Sequence, residues 1–257
     1  MSSILFEIKD AIGFITLNRP DKFNSFNREM ALLMQEKLDE CKDAVIRAVY
    51  ITGNGKAFCA GEDLQEVTDP QGPSLNTIIA TGYNPIVLKI RNLEKPVVMA
   101  VNGVAAGAGA NIALAGDVVV ATASATFTQA FSKIGLIPDS GGTWTLPRLV
   151  GFQRASALMM LSDKITADEA EAMGMIWKVF HDETFLTESL ELAETLAQMP
   201  TRGLALTKKA LNASFNNSFS EQLSLEDTLQ TEAGNTADYR EGVAAFLEKR
   251  KPTFKGA

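Results

Sequence analysis

The sequence predicts an α/β fold with a largely parallel core and a helical C-terminal region. Three observations carry this. Short apolar runs alternate with helical periods up to about Gly151, Gly-rich turns join them, and helical periodicity dominates afterwards. Residues 1–195 form the expected core and residues 196–257 the helical region, and 257 residues suit one large domain with an appendage.

The elements follow in order. ILFEIKD and AIGFITLN read as two strands joined at Asp10–Gly13. Arg19-Pro20-Asp21 breaks the chain into a loop. Asn27 is placed to cap a helix whose apolar positions, Met30, Leu33, Met34, Leu38 and Cys41, recur at helical spacing. Ala48–Thr52 is a short buried strand that runs into the Gly-rich loop GNGKAFCAGEDL. Residues 67–74 hold two prolines and a glycine with little to bury, which predicts a mobile loop. A helix is expected from Leu75 to Asn92, a strand over Pro96–Val101, an alanine-rich helix in NGVAAGAGANIALAG, and a strand in DVVVAT. SGGTWTLPRL suggests a helix, one more strand falls near Met175–Phe180, and the chain from Glu183 on reads as helix after helix.

Composition excludes several classes. Apolar residues make up 46% of the chain, enough for a sizeable core. A formal charge of −7 argues against nucleic acid as a partner, since phosphate-binding surfaces need a basic excess. Cys41 and Cys59 are the two cysteines, so no disulfide framework is implied and a cytoplasmic location fits. The N-terminus lacks the basic flank and apolar run of a signal peptide, and no apolar stretch reaches the roughly 20 residues of a membrane span. His181 is the only histidine, which disfavours a His/Cys metal site and a Ser-His-Asp triad alike.

Two turns attract chemical interest. FCAGEDL and NGVAAGAGANIAL each follow a strand and expose backbone N–H groups, with small residues that let a ligand atom approach. Side by side, two such turns would stabilise an oxyanion. Separately, each could serve only tight packing. GAGANI is no dinucleotide fingerprint, because too few residues precede the next strand, and GNGKAF lacks phosphate-loop spacing. Asp139, in GLIPDSGGTW, is a carboxylate among apolar and small residues. It could cap the following helix, or burial could raise its pKa for proton transfer with Ile137, Pro138 and Trp144 as an apolar wall. Cys59 reads as a packing residue.

Taken together, LNRPDKFNSFN, FCAGEDL, KPVVMAVNGVAAGAGANIALAGD, FSKIGLIPDSGGTWTLPRLVG and ADYREGVAAFLEKRKPTFKG resemble the crotonase (enoyl-CoA hydratase/isomerase) superfamily over nearly the whole chain. NGVAAGAGA, FSKIGLIPD and ADYREGV are most similar to an isomerase branch acting on a ring-epoxidised phenylacetyl-CoA. The resemblance implies a spiral of ββα units with a C-terminal helical trimerisation region, a homotrimer or homohexamer, and an acyl-CoA substrate with no cofactor beyond its coenzyme A. It implies an oxyanion hole from the Glu62 and Ala108 backbone N–H groups, with Asp139 as the acid/base. Positions where family hydratases carry glutamates hold Asn111 and Phe131, neither of which can act as a base. Lys22, Lys56 and Lys255 are candidate cations for the CoA phosphates, Lys255 reaching a neighbouring subunit. Phe23, Ala60, Asp63, Leu64, Gln65, Asn111, Phe131, Pro138 and Trp144 complete the expected substrate contacts. The implied activity is isomerisation, with enoyl-CoA hydration or non-catalytic acyl-CoA binding as the alternatives.

Overall fold

A computed structural model describes residues 2–68 and 70–257; Met1 and Asp69 lie outside the described residues. β1 (Ile4–Lys9) and β2 (Ile12–Leu17) pair antiparallel through a tight turn in which Asp10 and Ala11 both have positive φ. α1 (Arg28–Glu40) begins where Asn27 accepts from the Met30 N–H, and its Met30, Met34 and Leu38 are buried as the spacing predicts. β3 (Ala48–Gly53) leads to β4 (Ala57–Cys59), α2 (Leu64–Val67), α3 (Leu75–Thr77) and α4 (Asn84–Asn92). β5 (Val97–Val101) leads to β6 (Val104–Ala106) and α5 (Ala108–Leu114). β7 (Val118–Thr122) leads to β8 (Thr126–Thr128), α6 (Gly142–Val150) and α7 (Phe152–Leu161). Then come β9 (Lys164–Thr166), α8 (Ala167–Ala172), β10 (Lys178–Phe180), α9 (Phe185–Gln198), α10 (Thr201–Ser214), α11 (Phe219–Gly234) and α12 (Ala237–Glu248).

Strand–strand–helix repeats wind the chain into a spiral. One sheet has the order β1-β2-β3-β5-β7-β10 and the other β4-β6-β8-β9. Pairing is parallel except at β1/β2 and β8/β9. Successive turns therefore place one strand in each sheet, and the C-terminal ends of neighbouring strands open into adjacent turns. The short strands of the second sheet were hard to foresee, because three residues are too few to display a period of two. The main core packs Ile15, Ile51, Met99 and Phe58 against Met34 of α1 and Ile86 of α4. A second cluster sets Tyr50, Val98 and Val120 against Phe185, Ala193 and Ala197 of α9, where Tyr50 Oη and Ser189 Oγ lie 2.9 Å apart. α9 runs through residue 195, so helical cover of the sheet continues across the expected boundary.

The expected helix from Leu75 to Asn92 is interrupted. Ile78–Tyr83 makes a π-helical turn, in which the Asn84 N–H reaches back five residues to the Ile79 carbonyl. The cause is Pro85, which has no N–H to bond the Thr81 carbonyl. That carbonyl instead accepts from Gln35 Nε2 of α1 at 2.8 Å. The extra residue in the turn resets the helical face and directs Tyr83 inward. Of the expected loop 67–74, Pro70–Ser74 carry no helix or strand.

Candidate active site

Two strand ends build the floor of the site. The segment after β4 is held by a parallel bridge between Phe26 and Glu62. The Phe26 N–H donates to the Gly61 carbonyl at 2.7 Å and the Asp63 N–H to the Phe26 carbonyl at 2.8 Å. In a parallel bridge the residue between those bonds turns its own N–H away from its partner, so the Glu62 N–H is left over. Gly61 has φ +97°, and a Cβ there would sit 3.0 Å from the Ala106 carbonyl oxygen and 3.6 Å from the Ala108 nitrogen. Glycine is therefore required where the two turns close on each other. On the other side, Gly107 (φ +53°, ψ −129°) precedes Ala108, the first residue of α5. An N–H at that helical position has no carbonyl one turn back to bond. A Cβ on Gly109 would fall 2.4 Å from the Cys59 carbonyl oxygen, so α5 starts hard against the end of β4. The turns that carry Glu62 and Ala108 are therefore in close contact, with both N–H groups outside the regular hydrogen-bond ladder, an arrangement of the kind that suits a developing oxyanion.

Asp139 lies close enough for its charge to act on the Glu62 carboxyl. Its turn has two consecutive left-handed residues, Ser140 (φ +51°) and Gly141 (φ +75°), and closes with a bond from the Gly142 N–H to the Asp139 carbonyl at 2.8 Å. The carboxylate accepts from Ser140 Oγ at 2.9 Å. It does not cap the helix: α6 begins at Gly142, with Gly141 as its N-cap residue and no side-chain cap. Burial raises its pKa above the ordinary carboxyl value, against a smaller lowering by the Ser140 hydroxyl. Ile137 is 80% exposed in the single chain and does not supply that burial. Trp144 turns toward the C-terminal helices, edge-on to Phe215 at 5.0 Å with the Arg148 guanidinium over its ring at 4.2 Å.

Asn111 has a clear structural task that its sequence position did not disclose. It is fully buried, donates from Nδ2 to the Asp139 carbonyl at 2.9 Å, and accepts from Gln129 Nε2 at 2.8 Å. It is a tether between α5 and the Asp139 turn. A Cβ on Gly142 would lie 2.3 Å from Asn111 Nδ2, so glycine at 142 leaves room for this amide. Asn111→Ala is expected to cost about 1–3 kcal/mol by leaving the Gln129 amide and part of the Asp139 carbonyl unpaired. Urea unfolding measures this, and a loss of turnover should accompany it as the turn loosens.

The remaining expected contacts fall into two groups. Phe131 is buried, and its ring tip comes within 3.9 Å of where a Gly107 Cβ would be, so it borders the oxyanion turn. Pro138 is half-buried beside Asp139. Asp63 pairs with Arg19 at 2.7 Å and accepts from the Gln65 N–H, fixing the loop after Glu62. Lys22 Nζ donates to Gln65 Oε1 at 3.1 Å, and the Ala60 N–H donates to the Phe23 carbonyl at 2.9 Å. Lys56, Phe23 and Leu64 are exposed. Lys255 is elsewhere in the single chain: its N–H bonds Asp238, and the adjoining Phe254 carbonyl accepts from Arg47 at the start of β3, the opposite end of the parallel strands. Cys59 is fully buried and its thiol is pushed up to about 12, which fits packing rather than attack. Among the described residues no His/Cys/Asp/Glu group is arranged to hold a metal, and no helix is long and apolar enough to cross a membrane.

The spiral fold and the sequence together place the chain in a known family. The chain belongs to the enoyl-CoA hydratase/isomerase family, whose model matches residues 7–257. It is 49% identical to the 1,2-epoxyphenylacetyl-CoA isomerase of Escherichia coli K12, over 100% of this chain and 99% of that protein. It is 45% identical to a probable enoyl-CoA hydratase of Rhodobacter capsulatus, over 99% and 98%. A solved enoyl-CoA hydratase/isomerase from Mycobacterium abscessus superposes with a TM-score of 0.93 at 31% identity, over 99% of this chain and 100% of that one. The crotonase spiral expected from the sequence is therefore the fold observed.

Proposed function

We propose that the protein is an acyl-CoA isomerase that shifts unsaturation by moving a proton, acting on 2-(1,2-epoxy-1,2-dihydrophenyl)acetyl-CoA to form the oxepin thioester and on 3-enoyl-CoA to form 2-enoyl-CoA. The observation that supports this most is the Asp139 carboxyl, partly desolvated and not used as a helix cap, in a chain whose Glu62 and Ala108 turns pack together. The thioester oxygen accepts from both N–H groups. Asp139 takes a proton from the carbon between thioester and unsaturation, and the electron pair is held on that oxygen as an enolate. For a 3-enoyl-CoA, reprotonation further along the conjugated system completes the shift; for the ring epoxide, the carbon–carbon bond shared by the two rings also breaks, its electron pair entering the new conjugated system as the seven-membered oxepin opens, and the same proton shift accompanies it. These steps move protons and electron pairs only, and no cofactor beyond coenzyme A enters them. Asn111 and Phe131 stand where family hydratases hold glutamates, which disfavours hydration. The 49% identical relative named for epoxyphenylacetyl-CoA points to the ring-bearing substrate.

Absorbance of the conjugated thioester tests the reading. An isomerase raises the signal from a 3-enoyl-CoA, a hydratase lowers it from a 2-enoyl-CoA, and a binding protein does neither. Lys56→Ala is expected to raise KM for acyl-CoA a few-fold with kcat unchanged, because an exposed cation contributes only modest binding to phosphate. The reading also includes assembly as a homotrimer or homohexamer. Phe219 (81% exposed), Phe246 (83%) and Leu247 (75%) leave an apolar face on α11 and α12 that a second copy would cover. Sedimentation should give a trimeric or hexameric mass; a monomer at micromolar concentration would contradict it.

A further inference from the structure

Glu62 lends its backbone to the site, but its side chain is unaccounted for. The residue is half-buried, yet Oε1 is fully buried and has no hydrogen-bond partner among the described residues. An orphaned buried carboxyl oxygen is costly and calls for an occupant or a function. The surrounding groups offer no cation. The charges of Asp139, from its turn, and Glu66, from α2, act on it, and its own charge acts on Tyr83 of the π-helical turn. Arg19 is engaged by Asp63, Lys22 by Gln65, and Glu66 itself accepts from the Arg28 N–H at 2.8 Å. Tyr83 is buried with its ring edge against Phe26. Burial raises that phenol, reinforced by the charges of Glu62, Cys59, Asp139 and Glu66, so it stays neutral.

We propose that the Glu62 carboxyl is a second acid–base group of this site, carrying the proton that Asp139 does not. This rests on the isomerase reading above. In the forward step Asp139 breaks the C–H bond beside the thioester and takes the proton, and the electron pair moves onto the thioester oxygen. Glu62, protonated, then gives its proton to the distal carbon of the dienolate. The enolate pair reforms the carbonyl, the double bond settles next to it, and Glu62 is left as a carboxylate. After product leaves, Asp139 releases its proton to solvent and Glu62 takes one up, which restores the starting state. The electrostatics support this division. Burial first, then the Asp139 charge, then Glu66, push the Glu62 carboxyl up to about 7, so part of it stays protonated at neutral pH. Two nearby carboxyls with separated pKa values are suited to opposite roles.

The test compares wild type, Glu62→Gln and Asp139→Asn on a 3-enoyl-CoA in H2O and D2O. Glu62→Gln retains the backbone N–H and the side-chain shape but cannot titrate. The expected result is a 10- to 100-fold fall in kcat with KM within a few-fold, and loss of the alkaline limb that wild type shows near pH 7. In D2O the wild-type product should carry solvent deuterium at the distal carbon from the first turnovers. The Glu62→Gln product should instead retain more of the hydrogen taken from the substrate. Thermal unfolding is an independent readout. A folded pKa raised above the ordinary value adds stability below that ordinary value and loses it as pH rises through about 7. Wild type should therefore lose Tm between pH 5 and 8 by more than Glu62→Gln does. Wild-type turnover and an unchanged alkaline limb in Glu62→Gln, or wild-type product carrying substrate hydrogen at the distal carbon, would overturn the proposal while Asp139→Asn stays inactive. An active Asp139→Asn would instead sink the isomerase reading beneath it.

Discussion

Asp139→Asn is expected to lower kcat on a 3-enoyl-CoA by on the order of 10³-fold while leaving affinity for an acyl-CoA analogue within a few-fold. The amide is close in shape and can still accept from Ser140 Oγ, which holds the carboxylate at 2.9 Å. The Asn111 tether and the Gly142 turn bond both go to the backbone carbonyl of residue 139, so the substitution leaves them intact. Only the capacity to take a proton is removed. Because burial raises the Asp139 pKa, activity should fall with decreasing pH at a value above the ordinary carboxyl range. Steady-state kinetics with isothermal titration separates the two effects, and equal losses in turnover and affinity would point to a disturbed pocket instead.

Ala108→Pro is expected to lower kcat/KM by about 10²- to 10³-fold, about 3 kcal/mol, the usual cost of one oxyanion donor. Deleting a main-chain N–H normally damages the fold, but this position tolerates it. Ala108 is the first residue of α5, where proline is favoured and no intrahelical bond is lost. Gly107, with φ +53° and ψ −129°, is extended in mirror image and compatible with a following proline. The ring would also occupy the space in front of the missing N–H, so KM should rise as kcat falls. Folding should be nearly unchanged by circular dichroism and thermal melting. A variant with wild-type kcat/KM would mean that the thioester carbonyl binds elsewhere.

Much of this architecture was legible because the signals were local. The long strands, the Asn27 cap and the helical spacing of α1 depend on neighbours in sequence, and all appear where expected. The two Gly-rich turns were also visible, since a close backbone approach demands residues without a Cβ. What escaped depends on distant contacts. Asn111 becomes a tether only once β8 brings Gln129, and the 139 turn brings Asp139, to the same side chain. Ser140 holds Asp139 through a left-handed backbone that a serine rarely adopts. Tyr83 reaches the cleft through the π-helical turn, for which Asn84-Pro85 was the one available sign. Trp144 looked like a wall for Asp139 when only the turn was considered; its partners, Phe215 and Arg148, are supplied by the residue just past α10 and by the next turn of its own helix. Lys255 is far from the cleft within one chain, so a role there requires a second copy.

A crystal structure with an unreactive acyl-CoA thioester analogue tests the central claim most directly. The thioester oxygen is expected about 2.7–3.1 Å from both the Glu62 and Ala108 nitrogens, with an Asp139 carboxyl oxygen directed at the adjacent carbon. A carbonyl bound away from those two nitrogens, or an Asp139 side chain swung back onto the start of α6, would contradict it.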